Sequence, residues 1–78
     1  MVWLFERSGE AMEIETHYDS ASGEYLLTVK RPDGSRQTER FMHVATFRDR
    51  IDRLESLLQI DRWMPNGSPL PLQDAWKL

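Results

Sequence analysis

Glu13, Glu15 and His17 stand at alternating positions in Glu-Ile-Glu-Thr-His-Tyr-Asp, residues 13 to 19. Two carboxylates and an imidazole so spaced could hold a metal ion or move a proton. On a β-strand, side chains at i, i+2 and i+4 share one face, so the three converge on one side. The outer two are then about 13 Å apart at about 3.3 Å per residue, too far to serve one ion. Glu15 and His17 could form at most a two-ligand zinc site, and the favoured reading is the wet face of a half-buried strand.

His43, in Arg-Phe-Met-His-Val-Ala-Thr, has no positioned acid or nucleophile near it in sequence and reads as a histidine that hydrogen-bonds backbone. The chain carries no phosphate loop, no Gly-x-Ser-x-Gly elbow, no His-Glu-x-x-His and no calcium loop. It has no cysteine, which excludes disulfides, thiolate metal sites and cysteine nucleophiles. No catalytic residue, metal or cofactor is therefore assigned, and the chain is read as non-catalytic.

Arginine is the second chemical signal. Eight of the ten basic residues are arginine, and Arg36, Arg40, Arg48, Arg50 and Arg53 lie close together in sequence. Guanidinium groups favour bidentate contact with carboxylate or phosphate, so these five form a candidate surface for single-stranded nucleic acid or another anion. The net charge of −3 opposes general nucleic-acid binding, but it is unevenly spread. Residues 1–34 hold seven acids against three bases, whereas residues 35–62 hold six bases against five acids. Acids interleave with the arginines, so a mixed solvated face is the favoured reading of this cluster.

The elements that position these residues follow from turn chemistry. Ser8-Gly9, Asp19 to Gly23 and Pro32-Asp33-Gly34 separate four strand-like runs. A two-residue Ser8-Gly9 loop pairs Phe5 with Met12 and Trp3 with Ile14. Pairing Tyr18 with Tyr25 sets Thr16 against Leu27 and Ile14 against Val29, extending the same apolar face. In this register Lys30 lies across from Glu13 and Thr28 from Glu15, which predicts a Glu13–Lys30 salt bridge. The fourth run, Ser35 to Phe41, is too polar for a central strand and is placed at the sheet edge.

Thr46-Phe-Arg-Asp49 reads as a capping box, predicting a helix from Thr46 with Phe47, Ile51, Leu54 and Leu58 along one stripe and an Asp49–Arg53 pair on the exposed side. The order of four strands and then a helix resembles the Whirly-type single-stranded-DNA-binding fold, a resemblance of element order. It implies nucleic acid on a basic, aromatic sheet face. Here the face opposite the helix carries Val2, Leu4, Glu13, Glu15, His17, Leu26, Thr28 and Lys30, acidic and without aromatics to stack on bases.

The expected fold is α+β: a four-stranded antiparallel meander followed by one amphipathic helix packed on one face, with an irregular C-terminal tail containing proline and tryptophan. Residues 1–62 are expected to form the ββββα domain, and 63–78 a tail packed on the domain or on a partner. The predicted core is Trp3, Phe5, Met12, Ile14, Tyr18, Tyr25, Leu27, Val29, Phe47, Ile51, Leu54 and Leu58. The candidate interaction surface is either the apolar spot of Val2, Leu4 and Leu26 on the outer face or the surface of Leu57, Ile60, Trp63 and the tail, where Trp63, Leu70, Leu72 and Trp76 are expected to be buried against the domain or a partner. Pro69-Leu-Pro-Leu is read as packed tail rather than as a polyproline ligand.

The longest apolar run, Met1 to Phe5, is followed at once by Glu6 and Arg7, which predicts neither a signal peptide nor a membrane helix. A cytoplasmic setting is expected. The functional expectation is a small protein-interaction or self-assembly module acting on an unidentified protein partner or on itself as a homodimer. Nucleic-acid or anion binding is the alternative.

Overall fold

A computed structural model describes residues 1–66 of the chain. The strands are β1 (Val2–Arg7), β2 (Glu10–Asp19), β3 (Glu24–Lys30) and β4 (Arg36–Phe41); helix α1 (Val44–Ile60) follows, and then β5 (Met64–Asn66). The sheet is antiparallel with order β4-β3-β2-β1-β5, so the four-stranded meander is present with β4 at one edge. The fifth strand closes the other edge and pairs with Leu4 to Glu6 of β1. Sequence does not signal it, because three residues with a central proline carry no readable alternation.

Both expected hairpin registers are formed. Trp3 pairs with Ile14 and Phe5 with Met12, while Ile14 also pairs with Val29, Thr16 with Leu27 and Tyr18 with Tyr25. The first turn places Ser8 and Gly9 at φ 48° and 82°, the two positive values that a two-residue hairpin of type I′ requires. In the third turn the Gly34 N–H donates to the Arg31 carbonyl at 2.9 Å, with proline and aspartate between them and Gly34 at φ 88°. This is a type I turn closed by a left-handed glycine, and the Arg31 N–H then donates to the Ser35 carbonyl at 2.8 Å.

The second and third turns are each tied by an aspartate. Asp19 accepts from the Ser22 hydroxyl and the Ala21 N–H, both at 3.0 Å. Asp33 accepts from the Ser35 N–H at 2.8 Å. The Ser22 hydroxyl and then the Ala21 N–H hold the Asp19 carboxyl below its ordinary value, and the Ser35 side chain and then its N–H do the same for Asp33.

Helix α1 lies on one face of the sheet and buries Phe47, Ile51, Leu54 and Leu58 against Trp3, Phe5, Ile14, Leu27 and Val29. The core differs from the sequence reading at its margin, where Met12 and Tyr25 are only partly buried and pack against the cluster from outside. Tyr18 is half exposed: its ring tilts against Tyr25 at 4.9 Å, at the margin of the cluster in which Phe47 meets Tyr25 and Phe41. Trp63, which follows the helix, is buried in the core.

The helix starts earlier than the Thr46-to-Asp49 pattern suggests. His43 is the N-cap, and its side chain makes no capping bond. Thr46 lies inside the first turn and its hydroxyl donates back to the His43 carbonyl at 2.9 Å, so it does not cap. At the other end the helix closes after Ile60, with Asp61 as the C-cap. Trp63 N–H donates to the Leu58 carbonyl and Arg62 N–H to that of Gln59, with Arg62 at φ 62°. This is a Schellman closure, accompanied by burial of both Leu58 and Trp63.

Arg7 locks the closure from the sheet side. Its guanidinium lies 4.5 Å from the Trp63 ring centroid and donates to the Asp61 carbonyl at 3.2 Å. A cation here also complements the negative end of the helix dipole.

Candidate functional site

The alternation that buries one side of the sheet sends the remaining side chains to the other. On that outer face the register rows set Val2 beside Glu15, Thr28 and Thr38, and Leu4 beside Glu13, Lys30 and Arg36; His17, Leu26 and Arg40 make a third row. No described element covers this face. Val2 and Leu4 are about half exposed on it, and Leu26 is partly buried by its neighbours. Met64, brought alongside Glu6 by β5, adds a fourth apolar side chain and is 66% exposed.

The face is divided by charge. Glu6, Glu13 and Glu15 lie on β1 and β2, whereas Lys30, Arg36 and Arg40 lie on β3 and β4; Glu24 on β3 is the acid within the basic half and is taken up by Arg40. Arg40 reaches Glu24 at 3.4 Å, and the Thr28 and Thr38 hydroxyls share a hydrogen bond at 3.0 Å. Glu13 and Lys30 are cross-strand partners as expected, yet the salt bridge predicted for them is not formed. Glu15 and Arg36 likewise make no ion pair among the described residues. The Asp49–Arg53 pair expected on the helix is also not formed.

The two candidate interaction surfaces lie on opposite sides of the sheet. Val2, Leu4 and Leu26 share the outer sheet face. Leu57 and Ile60 lie on the exposed side of α1, on the other side of the sheet, where both are more than half exposed. Trp63 is inside the core rather than on a surface, because the helix closure folds it back. Leu70, Leu72 and Trp76 lie outside the described residues, as does Pro69-Leu-Pro-Leu.

The five arginines are also divided. Arg36 and Arg40 belong to the outer face of β4. Arg50 instead spans from the helix to Glu39 on β4, its Nε 2.9 Å and 3.2 Å from the two carboxylate oxygens. Arg48 and Arg53 are exposed on α1. No single arginine surface results, and among the described residues the outer face holds no Phe, Tyr or Trp ring, only the His17 imidazole.

Glu15 and His17 follow each other on the outer face, and no three His, Asp or Glu side chains converge as a metal cage among the described residues. A groove of about 180 Å³ runs beside the C-terminal half of α1, floored by Met12, Val29 and Leu58 and rimmed by Arg31, Arg50 and Glu39. Arg50 and Glu39 neutralise each other and Arg31 is bonded to Gln37, so the rim does not define a charged ligand. No helix among the described residues is long and apolar enough to cross a membrane.

No protein-family model, curated protein or solved structure matches the chain. Its function must therefore be read from the surface itself. Sequence reasoning missed the parts that β4 and β5 contribute to the outer face. The signal for β4 was the Lys30-to-Arg36 span across the Pro-Asp-Gly turn, which fixes Arg36, Thr38 and Arg40 on one side.

Proposed function

We propose that the chain is a non-catalytic interaction module whose working surface is the outer face of the sheet. The observation that carries this reading is a five-stranded sheet that, among the described residues, is covered by a helix on one side only, with Val2, Leu4 and Met64 exposed on the other. Sheets of this width are commonly completed by a second layer, because apolar side chains left in water forgo about 25 cal/mol for each Å² they could bury. The polar residues that alternate with them supply a rim and a charge pattern, as interfaces require.

The test compares capture by the native chain with capture by Leu4→Lys, using Ile60→Lys on the helix as the control. Partners retained by the native chain and by Ile60→Lys, and lost with Leu4→Lys, support the reading. Identical retention by all three overturns it, as does nothing retained by any together with a native chain that does not self-associate. Nucleic-acid binding is not favoured, since the arginines are split and the outer face offers no Phe, Tyr or Trp ring for stacking among the described residues.

A further inference from the structure

Resting on that reading, we infer that the partner of the outer sheet face is a second copy of this chain, joined as a two-fold symmetric β-sandwich. The inference comes from the order of charges across the face. Acidic Glu13 and Glu15 on β2 lie beside basic Lys30 on β3 and Arg36 on β4. Glu13 and Lys30 oppose each other without bonding, so both keep their charge available to another surface.

Only one of the two simple face-to-face arrangements suits this order. A two-fold axis between the layers, parallel to the strands and over the β2–β3 boundary, exchanges β2 with β3 and β1 with β4. Glu13 then lies over Lys30 of the second copy, Leu4 over the aliphatic stem of Arg36, Val2 over Thr38 and His17 over Leu26. Every contact occurs twice. An axis across the strands would instead lay the acidic half on the acidic half, which like-charge repulsion opposes. The aligned arrangement is also the common packing of two twisted sheets, about 30° apart.

The charge pattern selects this occupant over others. A polyanion would meet Glu6, Glu13 and Glu15, and a basic partner would meet Lys30, Arg36 and Arg40. A second copy presents both halves in the complementary order. The footprint is of the right scale. The four overlapping strands, at about 4.8 Å spacing and about six residues in length, give a patch near 400 Å² in projection. This is within a factor of two of the about 800 Å² per partner that a standard interface removes.

The experiment uses the whole chain in sedimentation velocity, from micromolar to millimolar concentration. An acidic-face variant, Lys30→Glu with Arg36→Glu, and a basic-face variant, Glu13→Lys with Glu15→Lys, are run alone and as an equimolar mixture. The native chain should dimerise, and each variant alone should associate at least about tenfold more weakly. The mixture should recover the dimer, because every opposed pair is again of unlike charge; recovery also shows that both variants are folded. A mixture that stays monomeric while circular dichroism shows both variants folded overturns the inference, as does a native chain that remains monomeric at millimolar concentration. If the native chain is monomeric but Leu4→Lys still abolishes capture of another protein, the second copy is rejected and the interaction module stands.

Discussion

On the helix side of the sheet Trp3, Ile14 and Leu27 are 2%, 0% and 0% exposed, whereas Val2 and Leu4, the strand neighbours of Trp3, are 51% and 48% exposed. One strand thus feeds a closed core and an open surface through alternation alone. The core side is apolar, stacked and locked at its margins by Arg50–Glu39 and by Arg7 over Trp63. The open side mixes four apolar groups with charges of both signs, two of which oppose each other without pairing. The outer face carries charges that a core would not tolerate, with Val2, Leu4 and Met64 exposed among them. On the reading proposed above, the helix side holds the fold and the outer side is the surface for recognition.

The comparison is broken most directly by truncation on each side. Ile51→Ala empties a fully buried position and should cost about 2–5 kcal/mol in urea unfolding, whereas Leu4→Ala should change the stability of the dilute chain by less than about 1 kcal/mol. Equal losses would mean that the outer face is as structural as the core. A smaller effect is expected at the lock on the helix end. Arg7→Ala removes the contact over Trp63 and the bond to Asp61, and should cost about 1–2 kcal/mol while making Trp63 fluorescence more accessible to quenchers.

The sign reverses at Arg62, a non-glycine residue held at φ 62° in the helix closure. Arg62→Gly should raise stability by about 0.5–1 kcal/mol, read as a higher urea midpoint with unchanged slope. The smallest effect belongs to the turns, which serve both faces equally. The Asp19 and Asp33 carboxyls are held below the ordinary 3.8 in the folded chain. A depressed carboxyl contributes stability above its unfolded value, and this contribution is lost as pH falls through the lower folded value. Carboxyl carbon titration should place both midpoints below 3.8, and Asp33→Asn should flatten the acid limb of the stability curve. Midpoints at or above 3.8 would remove the turn hydrogen bonds from the account.

Much of the core side was legible in the sequence because two turns and one apolar alternation demand the same register. Trp3, Ile14 and Val29 align only if Ser8-Gly9 and the Asp19-to-Gly23 loop have the lengths found here. The helix stripe was equally clear, since Phe47, Ile51, Leu54 and Leu58 recur at helical spacing. Its start was not, because a hydroxyl followed by a carboxylate can cap a helix or sit inside its first turn. Tyr18 shares the core-facing parity but lies at the margin of the buried cluster, and parity alone does not tell how far a helix reaches. Trp63 joined the core through the backbone closure after Ile60, which has no side-chain period to betray it.

The outer face was only half legible. Glu13, Glu15, His17, Leu26, Thr28 and Lys30 follow from the β2–β3 register, whereas β4 is polar on both sides and carries no alternation to fix its own. The bipolar pattern emerges only when Arg36 and Arg40 are placed beside Lys30 and across from Glu13 and Glu15.

The central claim, that the outer sheet face joins two copies of the chain while the helix face holds the fold, is tested most directly by sedimenting the native chain beside Leu4→Lys over the same concentration range. Native self-association that disappears in Leu4→Lys, with the two urea midpoints in dilute solution alike, is the result expected. Indistinguishable sedimentation of the two chains, or a Leu4→Lys variant destabilised as severely as Ile51→Ala, would contradict it.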